Sequence, residues 1–68
     1  MYMNKIGKRI KKIREEKEIT QQQLANYIDV DRTTLSHYES GARLPSIYII
    51  WKIADMFDIS IDELIGRN

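Results

Sequence analysis

The chain has 68 residues, so two separate cores would have roughly 34 residues each, below the approximate 40-residue minimum for unaided folding. We therefore expect residues 1–68 to form one domain and not a multi-domain enzyme. With 43% hydrophobic residues and no cysteine, an apolar core must supply the stability, and disulfides, thiolate metal sites and thiol catalysis are excluded. The formal net charge is only +1, so whole-chain charge does not by itself indicate a nucleic-acid partner.

The first predicted helix covers about residues 4–17. Ile6, Ile10 and Ile13 recur at the spacing of one apolar helix face. Residues 1–17 also carry seven lysines and arginines against Glu15 and Glu16. Such a run is typical of a solvated helix face, and long-range attraction to nucleic acid is the alternative interpretation.

A second helix is predicted to begin at Gln21, because Thr20 and Gln23 have the spacing of a capping box. Its inward positions are Leu24, Ala25 and Ile28. The next three residues include two aspartates, which favour a turn, and Asp31 can cap a third helix running from Arg32 to about Ser40.

Gly41 suits a left-handed helix end, and Pro45 followed by Ser46 indicates a break and a new N-cap. A fourth helix is therefore predicted over residues 47–57. Its inward face is predicted to hold Ile47, Ile50, Ile53, Ala54 and Phe57, with Tyr48, Lys52 and Asp55 pointing away and Trp51 half-buried.

Ser60 and Glu63 have the spacing of a second capping box, which predicts a short fifth helix ending before Gly66. No segment alternates with period two, so the predicted fold class is all-α with five helices.

Residues 20–41 have the form of a helix-turn-helix, with an eight-residue helix, a three-residue turn and a second short helix. Ala25 is small where two crossing helices would approach, and apolar contacts come from Leu24, Val30 and Leu35. The outward face of the third helix then presents small or hydrogen-bonding side chains: Arg32, Thr33, Ser36 and His37.

At these residues the chain resembles the Cro and phage-repressor (XRE-type) family of bacterial and phage DNA-binding proteins. The matching positions, in order, are Thr20, Gln21, Leu24, Ala25, Val30, Leu35, Ser36, Glu39, Gly41, Pro45, the pair Ile53 and Ala54, and the segment at residues 59–64. The resemblance implies a five-helix lambda-repressor-like domain and a sequence-specific transcriptional regulator, acting as a repressor on double-stranded DNA. One position departs from the family pattern, since Asp29 stands where a glycine with a left-handed backbone is usual.

The resemblance further implies that the third helix enters the major groove, with Arg32, Thr33 and His37 nearest the bases and Ser36 secondary. The alternative interpretation of His37 is a surface histidine without a functional role. The implied phosphate contacts are Gln21, Ser40, Gly41 and Arg43. In relatives the equivalent of Arg14 pairs with the acid matching Glu39, so we expect a structural ion pair there, with phosphate contact as a second role of Arg14.

One such domain reads only a few base pairs, so the resemblance implies a homodimer on a palindromic operator. Ile61 and Ile65, together with Ile49 and Met56, are candidates for the dimer contact, although each could equally fill the core.

The sequence gives weaker support to two other classes of function. Catalysis has little support, since the chain has one histidine, no cysteine and no glycine-rich phosphate loop, and no cofactor, metal or small-molecule substrate is indicated. A protein-interaction module is the second alternative. If the outward face of the third helix no longer bound DNA, however, we would expect acidic or bulky apolar side chains at the positions of Arg32, Thr33 and His37. The longest apolar run has five residues, far fewer than the roughly 20 of a membrane helix, and no signal peptide is apparent, so we expect a cytoplasmic protein.

Overall fold

The computed structural model describes residues 5–66, and helices make up its regular structure. They are α1 (Ile6–Glu16), α2 (Gln21–Ile28), α3 (Arg32–Ser40), α4 (Ile47–Phe57) and α5 (Ile61–Ile65). The predicted all-α class is confirmed, and α2, α3 and α4 have their predicted bounds. The prediction that α1 starts at Asn4 falls outside the described residues.

Side-chain caps explain where four of the helices begin. Thr20 and Gln23 form the complete capping box, with Gln23 N donating to Thr20 Oγ1 at 3.0 Å and Thr20 N donating to Gln23 Oε1 at 2.8 Å. Asp31 and Ser46 accept from the third backbone amide of their helices, as predicted. At α5 only half of the predicted box is present in the described structure: Ser60 accepts from Glu63 N. Glu63 lines a groove together with Arg9 and Lys12 of α1.

The turn between α2 and α3 depends on a left-handed residue. Asp29 has φ 62° and ψ 45°, which confirms the expected backbone conformation at the position where the family pattern has glycine. This conformation lets Val30 N donate to Ala25 O at 3.0 Å and closes the end of α2. The three-residue turn is therefore formed without a glycine.

One apolar core is shared by all five helices. Its buried side chains are Ile6, Ile10, Ile13, Leu24, Ala25, Ile28, Leu35, Tyr38, Ile50, Ile53, Ala54, Phe57 and Leu64. The prediction that Ile47 faces inward is wrong, because this first residue of α4 lies beyond the edge of the core and is 70% exposed. Trp51 is 53% exposed and stacks on Tyr48, so it is a surface residue rather than a packing one.

Two of the α1 cations hold the fold together and do not belong to a solvated face. Arg9 Nε donates to Leu64 O at 2.9 Å and Arg9 Nη2 to Glu63 O at 2.6 Å, so this side chain ties the end of α5 to α1. Arg14 is buried against α3. The lysines of α1 are exposed, as expected, and so are the lysines that flank it: Lys8, Lys11 and Lys12 within the helix, and Lys5 and Lys17 at its two ends.

The crossing of α1 and α3 requires the glycine at position 7. A Cβ atom there would overlap Tyr38 O and come within 2.7 Å of Glu39 O. The backbones of the two helices are therefore in close contact, which fixes α3 on the body of the molecule. Within residues 5–66, none of the helices is long and apolar enough to cross a membrane.

Candidate nucleic-acid interface

The inner side of the helix-turn-helix is fixed by complete burial. Leu24, Ala25 and Leu35 have no exposed surface, and Val30 in the turn packs partly against the same cluster. Because Ala25 is small, α2 and α3 can approach closely at this point. Packing thus sets the orientation of α3 relative to the rest of the molecule, and the backbone positions of its outer residues are fixed with it.

The outer side of α3 carries all four side chains predicted to contact bases. Arg32, Thr33, Ser36 and His37 are exposed and lie on one side of the helix, since they are spaced by one and four residues. The opposite side is buried through Leu35, Tyr38 and Glu39. These four side chains offer hydrogen-bond donors and acceptors together with the methyl group of Thr33, a set that can read base edges in a major groove.

An acidic cap stands beside this outer side. Asp31 Oδ1 accepts from Thr34 N at 2.7 Å. Hydrogen bonds from the Thr34 backbone and side chain, with smaller contributions from the charges of His37 and Arg43, lower the pKa of the Asp31 carboxyl from its ordinary value. The sequence predicted the cap, but not that its negative charge would lie near His37 and Arg43.

Three of the predicted phosphate contacts lie at the end of α3 and in the loop that follows it. His37 O accepts from Arg43 N at 3.2 Å and from Ser40 Oγ at 3.2 Å. Gly41 has φ 86° and lets the chain reverse there. The exposed residues Ser40, Gly41 and Arg43 are thereby brought beside the outer side of α3, as an interface that clamps a DNA strand would require.

The predicted ion pair between Arg14 and Glu39 is present and is part of a larger network. Arg14 Nε donates to Glu39 Oε2 at 2.7 Å, and Arg14 Nη1 donates to Ile19 O at 2.9 Å. Gln21 Nε2 donates to Glu39 Oε1 at 2.9 Å, a contact that sequence reasoning missed. The network joins α1, the start of α2 and the end of α3, so Arg14 acts from the interior, and its phosphate role stays a prediction.

The candidates for a dimer contact are only partly accessible. Ile49, Met56, Ile61 and Ile65 are half-buried and pack against the core. The large hydrophobic side chains that are exposed among the described residues lie elsewhere: Tyr27, Leu44, Ile47, Tyr48 and Trp51. In the part of the chain that is described, no group of three or more potential ligands is arranged to hold a metal ion.

Known proteins resemble this chain in both sequence and structure. The helix-turn-helix family matches residues 10–64. The cryptic phage CTXphi transcriptional repressor RstR of Vibrio cholerae is 44% identical over 63 residues, which are 93% of this chain and 56% of the relative. The HTH-type transcriptional regulator AnsR of Bacillus subtilis is 37% identical over 60 residues, which are 88% of this chain and 52% of the relative. The chain thus spans about half the length of these two relatives.

Two solved structures superpose closely. The restriction-modification controller protein C.AhdI from Aeromonas hydrophila has a TM-score of 0.84 and 34% identity, covering 91% of this chain and 94% of the other. The N-terminal DNA binding domain of SinR from Bacillus subtilis has a TM-score of 0.80 and 34% identity, covering 90% of each chain. The names of these relatives describe regulators and DNA-binding proteins, not enzymes, in agreement with the sequence-based expectation.

Proposed function

The chain belongs to the helix-turn-helix family of Cro and phage-repressor (XRE) type, and from this premise we propose that it is a sequence-specific DNA-binding transcriptional regulator acting as a repressor. In this proposal α3 lies in the major groove of a palindromic operator, and two copies bind together. Residues 1–68 act as one DNA-binding unit in the cytoplasm, the compartment that holds bacterial DNA.

The observation that carries the proposal is the division of α3 into two sides. Its inner side is buried, so the helix cannot rotate, and its outer side holds Arg32, Thr33, Ser36 and His37 in solvent. Arginine can donate two hydrogen bonds to guanine O6 and N7, and threonine offers a hydroxyl and a methyl group for thymine. Ser36 contributes a second hydroxyl, and His37 can donate or accept through its ring.

The candidate phosphate contacts lie near the end of α3, where Gln21 meets Glu39, and they support the same orientation. Gln21 stands at the start of α2, where backbone amides and the positive end of the helix dipole favour an anion. Ser40 is the last residue of α3, and Gly41 and Arg43 follow it in the loop. Arg14 supports the first group through Glu39, which also holds the Gln21 amide.

The size of the molecule supports two copies per operator. Its longest extent is 28 Å, whereas half-sites one DNA turn apart are separated by about 34 Å. A single copy therefore reaches the bases of only one half-site. Ile61 and Ile65 remain the contacts that the sequence proposes for the pair.

The test is selection of bound oligonucleotides from a random duplex pool. We expect a palindromic consensus whose half-sites lie about one helical turn apart. A matched control carries Arg32→Ala, Thr33→Ala and His37→Ala, which remove the outer side chains but leave the core intact. A folded wild-type protein that enriches no motif, or a control that enriches the same motif, would overturn the proposal.

A further inference from the structure

Asp31 is a charged residue at the proposed DNA interface, and the proposed function gives it no role toward DNA. It directly precedes Arg32 and caps the start of α3. The residue is exposed, and its charge lies near those of His37 and Arg43, which belong to the same interface. A carboxylate at this place repels the phosphates of every duplex. That repulsion weakens binding to all sequences alike unless a base offsets it.

The carboxylate of Asp31 is held in place but keeps room for another donor. Thr34 N donates to Oδ1 at 2.7 Å, and the Thr34 hydroxyl interacts with the same carboxylate. A carboxylate has about four acceptor sites, so the contacts from Thr34 leave some of them open. The ion pairs found among residues 5–66 all involve Arg14, so none of them neutralises Asp31.

The hydrogen bonds from Thr34 also keep the carboxyl group charged. They lower the pKa of Asp31 from its ordinary value, so the group is ionised at neutral pH. The first residues of a recognition helix are the ones that reach base edges in the major groove. A negatively charged acceptor of fixed position therefore stands at the end of α3 that approaches the bases.

We propose that Asp31 is a further specificity-determining residue, which accepts a hydrogen bond from the N4 amino group of a cytosine next to the guanine that Arg32 contacts. This inference rests on the proposed function, because it deepens the account of which bases α3 selects.

The chemistry of the base edges favours cytosine. In the major groove cytosine presents its N4 amino donor, whereas guanine presents the acceptors O6 and N7 and thymine presents the acceptor O4. Adenine has an N6 amino donor, but its N7 acceptor lies beside it and repels a carboxylate. Asp31 thus selects cytosine both by attraction and by repulsion of the other bases.

The first test compares the motifs that wild type and Asp31→Ser enrich from a random duplex pool. Wild-type half-sites should hold a cytosine next to the guanine whose preference Arg32→Ala relaxes. Serine is an equally good capping residue but lacks the carboxylate. Asp31→Ser should therefore lower the preference for cytosine at least about fivefold and keep the preference for guanine. Weaker capping alone does not produce this result, because it affects binding to all sequences equally.

The second test removes the amino group from the DNA instead. In a duplex with 2-pyrimidinone in place of that cytosine, only the N4 amino group is missing. Wild type should bind this duplex at least about fivefold more weakly than the normal operator. Asp31→Ser should bind the two duplexes equally, because the protein partner of the amino group is already absent.

The matched control is Asp62→Asn, with circular dichroism to confirm that both variants are folded. Asp62 is an exposed acidic residue in the first turn of α5, outside the helix-turn-helix. Its substitution removes one negative charge, as Asp31→Ser does, and should leave the cytosine preference unchanged. An equal loss of the preference in Asp62→Asn would overturn the proposal, because net charge would then explain the effect.

Three further results would show that the proposal is wrong while the proposed function stands. Wild type could bind the 2-pyrimidinone duplex as tightly as the normal operator, or Asp31→Ser could keep the cytosine preference. Alternatively, Asp31→Ser could relax only the preference for guanine, which would make Asp31 a support for Arg32. If folded wild-type protein enriches no motif at all, the proposed function and this inference are both wrong.

Discussion

Arg32 occupies the first position of α3 with its side chain in solvent. Arg32→Ala should weaken binding to the preferred operator by about 1–3 kcal/mol and relax the preference at one base pair, because a two-bond contact to guanine is lost. Titration against the operator and a half-site mutated at each position measures both effects. Lys12→Ala removes the same charge from exposed α1 and should leave the preference unchanged. Equal weakening on every sequence would make Arg32 a phosphate contact.

Asp29 adopts a left-handed backbone conformation that costs more free energy for aspartate than for glycine. Asp29→Gly should stabilise the protein by about 0.5–1 kcal/mol, since its left-handed conformation is costly for a side chain with a Cβ. Thermal unfolding should show a rise of several degrees, with DNA specificity unchanged. Asp58→Gly is a matched control, because Asp58 ends α4 with φ 57° and lies outside the helix-turn-helix. A lower melting temperature for Asp29→Gly would count against this account of the turn.

At the scale of the element, the start of α3 depends on the charge of its cap. The pKa of Asp31 is lowered in the folded protein by the hydrogen bonds from Thr34, so ionised Asp31 stabilises the fold above its ordinary pKa of about 3.9. That contribution is lost as the pH falls through the lowered folded value. Asp31→Asn keeps a capping oxygen without the charge. We expect wild type to exceed the variant in melting temperature near neutral pH, and the gap to close in acid. A gap independent of pH would contradict a role for the charge.

At Gly7 the contact between α1 and α3 and the intrinsic helix propensity predict opposite effects of an alanine substitution on stability. In a helix, Gly→Ala alone should stabilise by about 0.5–1 kcal/mol. At Gly7, however, the new methyl group meets the carbonyls of Tyr38 and Glu39, which belong to a rigid helix, so we expect destabilisation of about 1–3 kcal/mol. Urea unfolding measures the change. Gly41→Ala is the comparison, since its Cβ would meet open space and only the left-handed backbone is strained. Unchanged or increased stability of Gly7→Ala would show that the helices do not cross so closely.

At the scale of the whole molecule, binding should respond steeply to salt. Each neutralised phosphate contributes a slope of about −0.9 in log K against log salt, so a pair of copies making roughly six to ten contacts should give about −5 to −9. Arg43→Gln should reduce the magnitude of this slope by about 2, one contact in each copy. A nearly flat dependence would favour the alternative in which the outer side of α3 binds a protein.

Much of the fold was predictable because its signals are local. Thr20, Asp31 and Ser46 each satisfy backbone amides within their own helix turn, so their positions in sequence suffice to locate three helix starts. Ile47 was predicted wrongly by the same kind of reasoning. Helical periodicity identifies the side of a helix but not where the core ends along its axis, and Ile47 lies beyond that end.

In the candidate site, too, some features were predictable from the sequence and others were not. The outer positions of α3 follow from its periodicity once Leu35 is assigned to the core. The tie between Gln21 and Glu39 joins residues 18 positions apart, and no spacing rule connects them. Arg9 is likewise indistinguishable in sequence from its exposed lysine neighbours, although it binds carbonyls more than 50 residues away.

The amino-acid sequence by itself determined the five helices, the capping residues that start four of them and the polar side of α3, because each depends on residues within one or two helical turns. The tertiary structure alone decided which cations are structural, why position 7 must lack a side chain and which apolar residues stay in solvent. Those outcomes depend on the packing of helices that are distant in the chain, where a carbonyl of one helix or the edge of a shared core meets a residue of another.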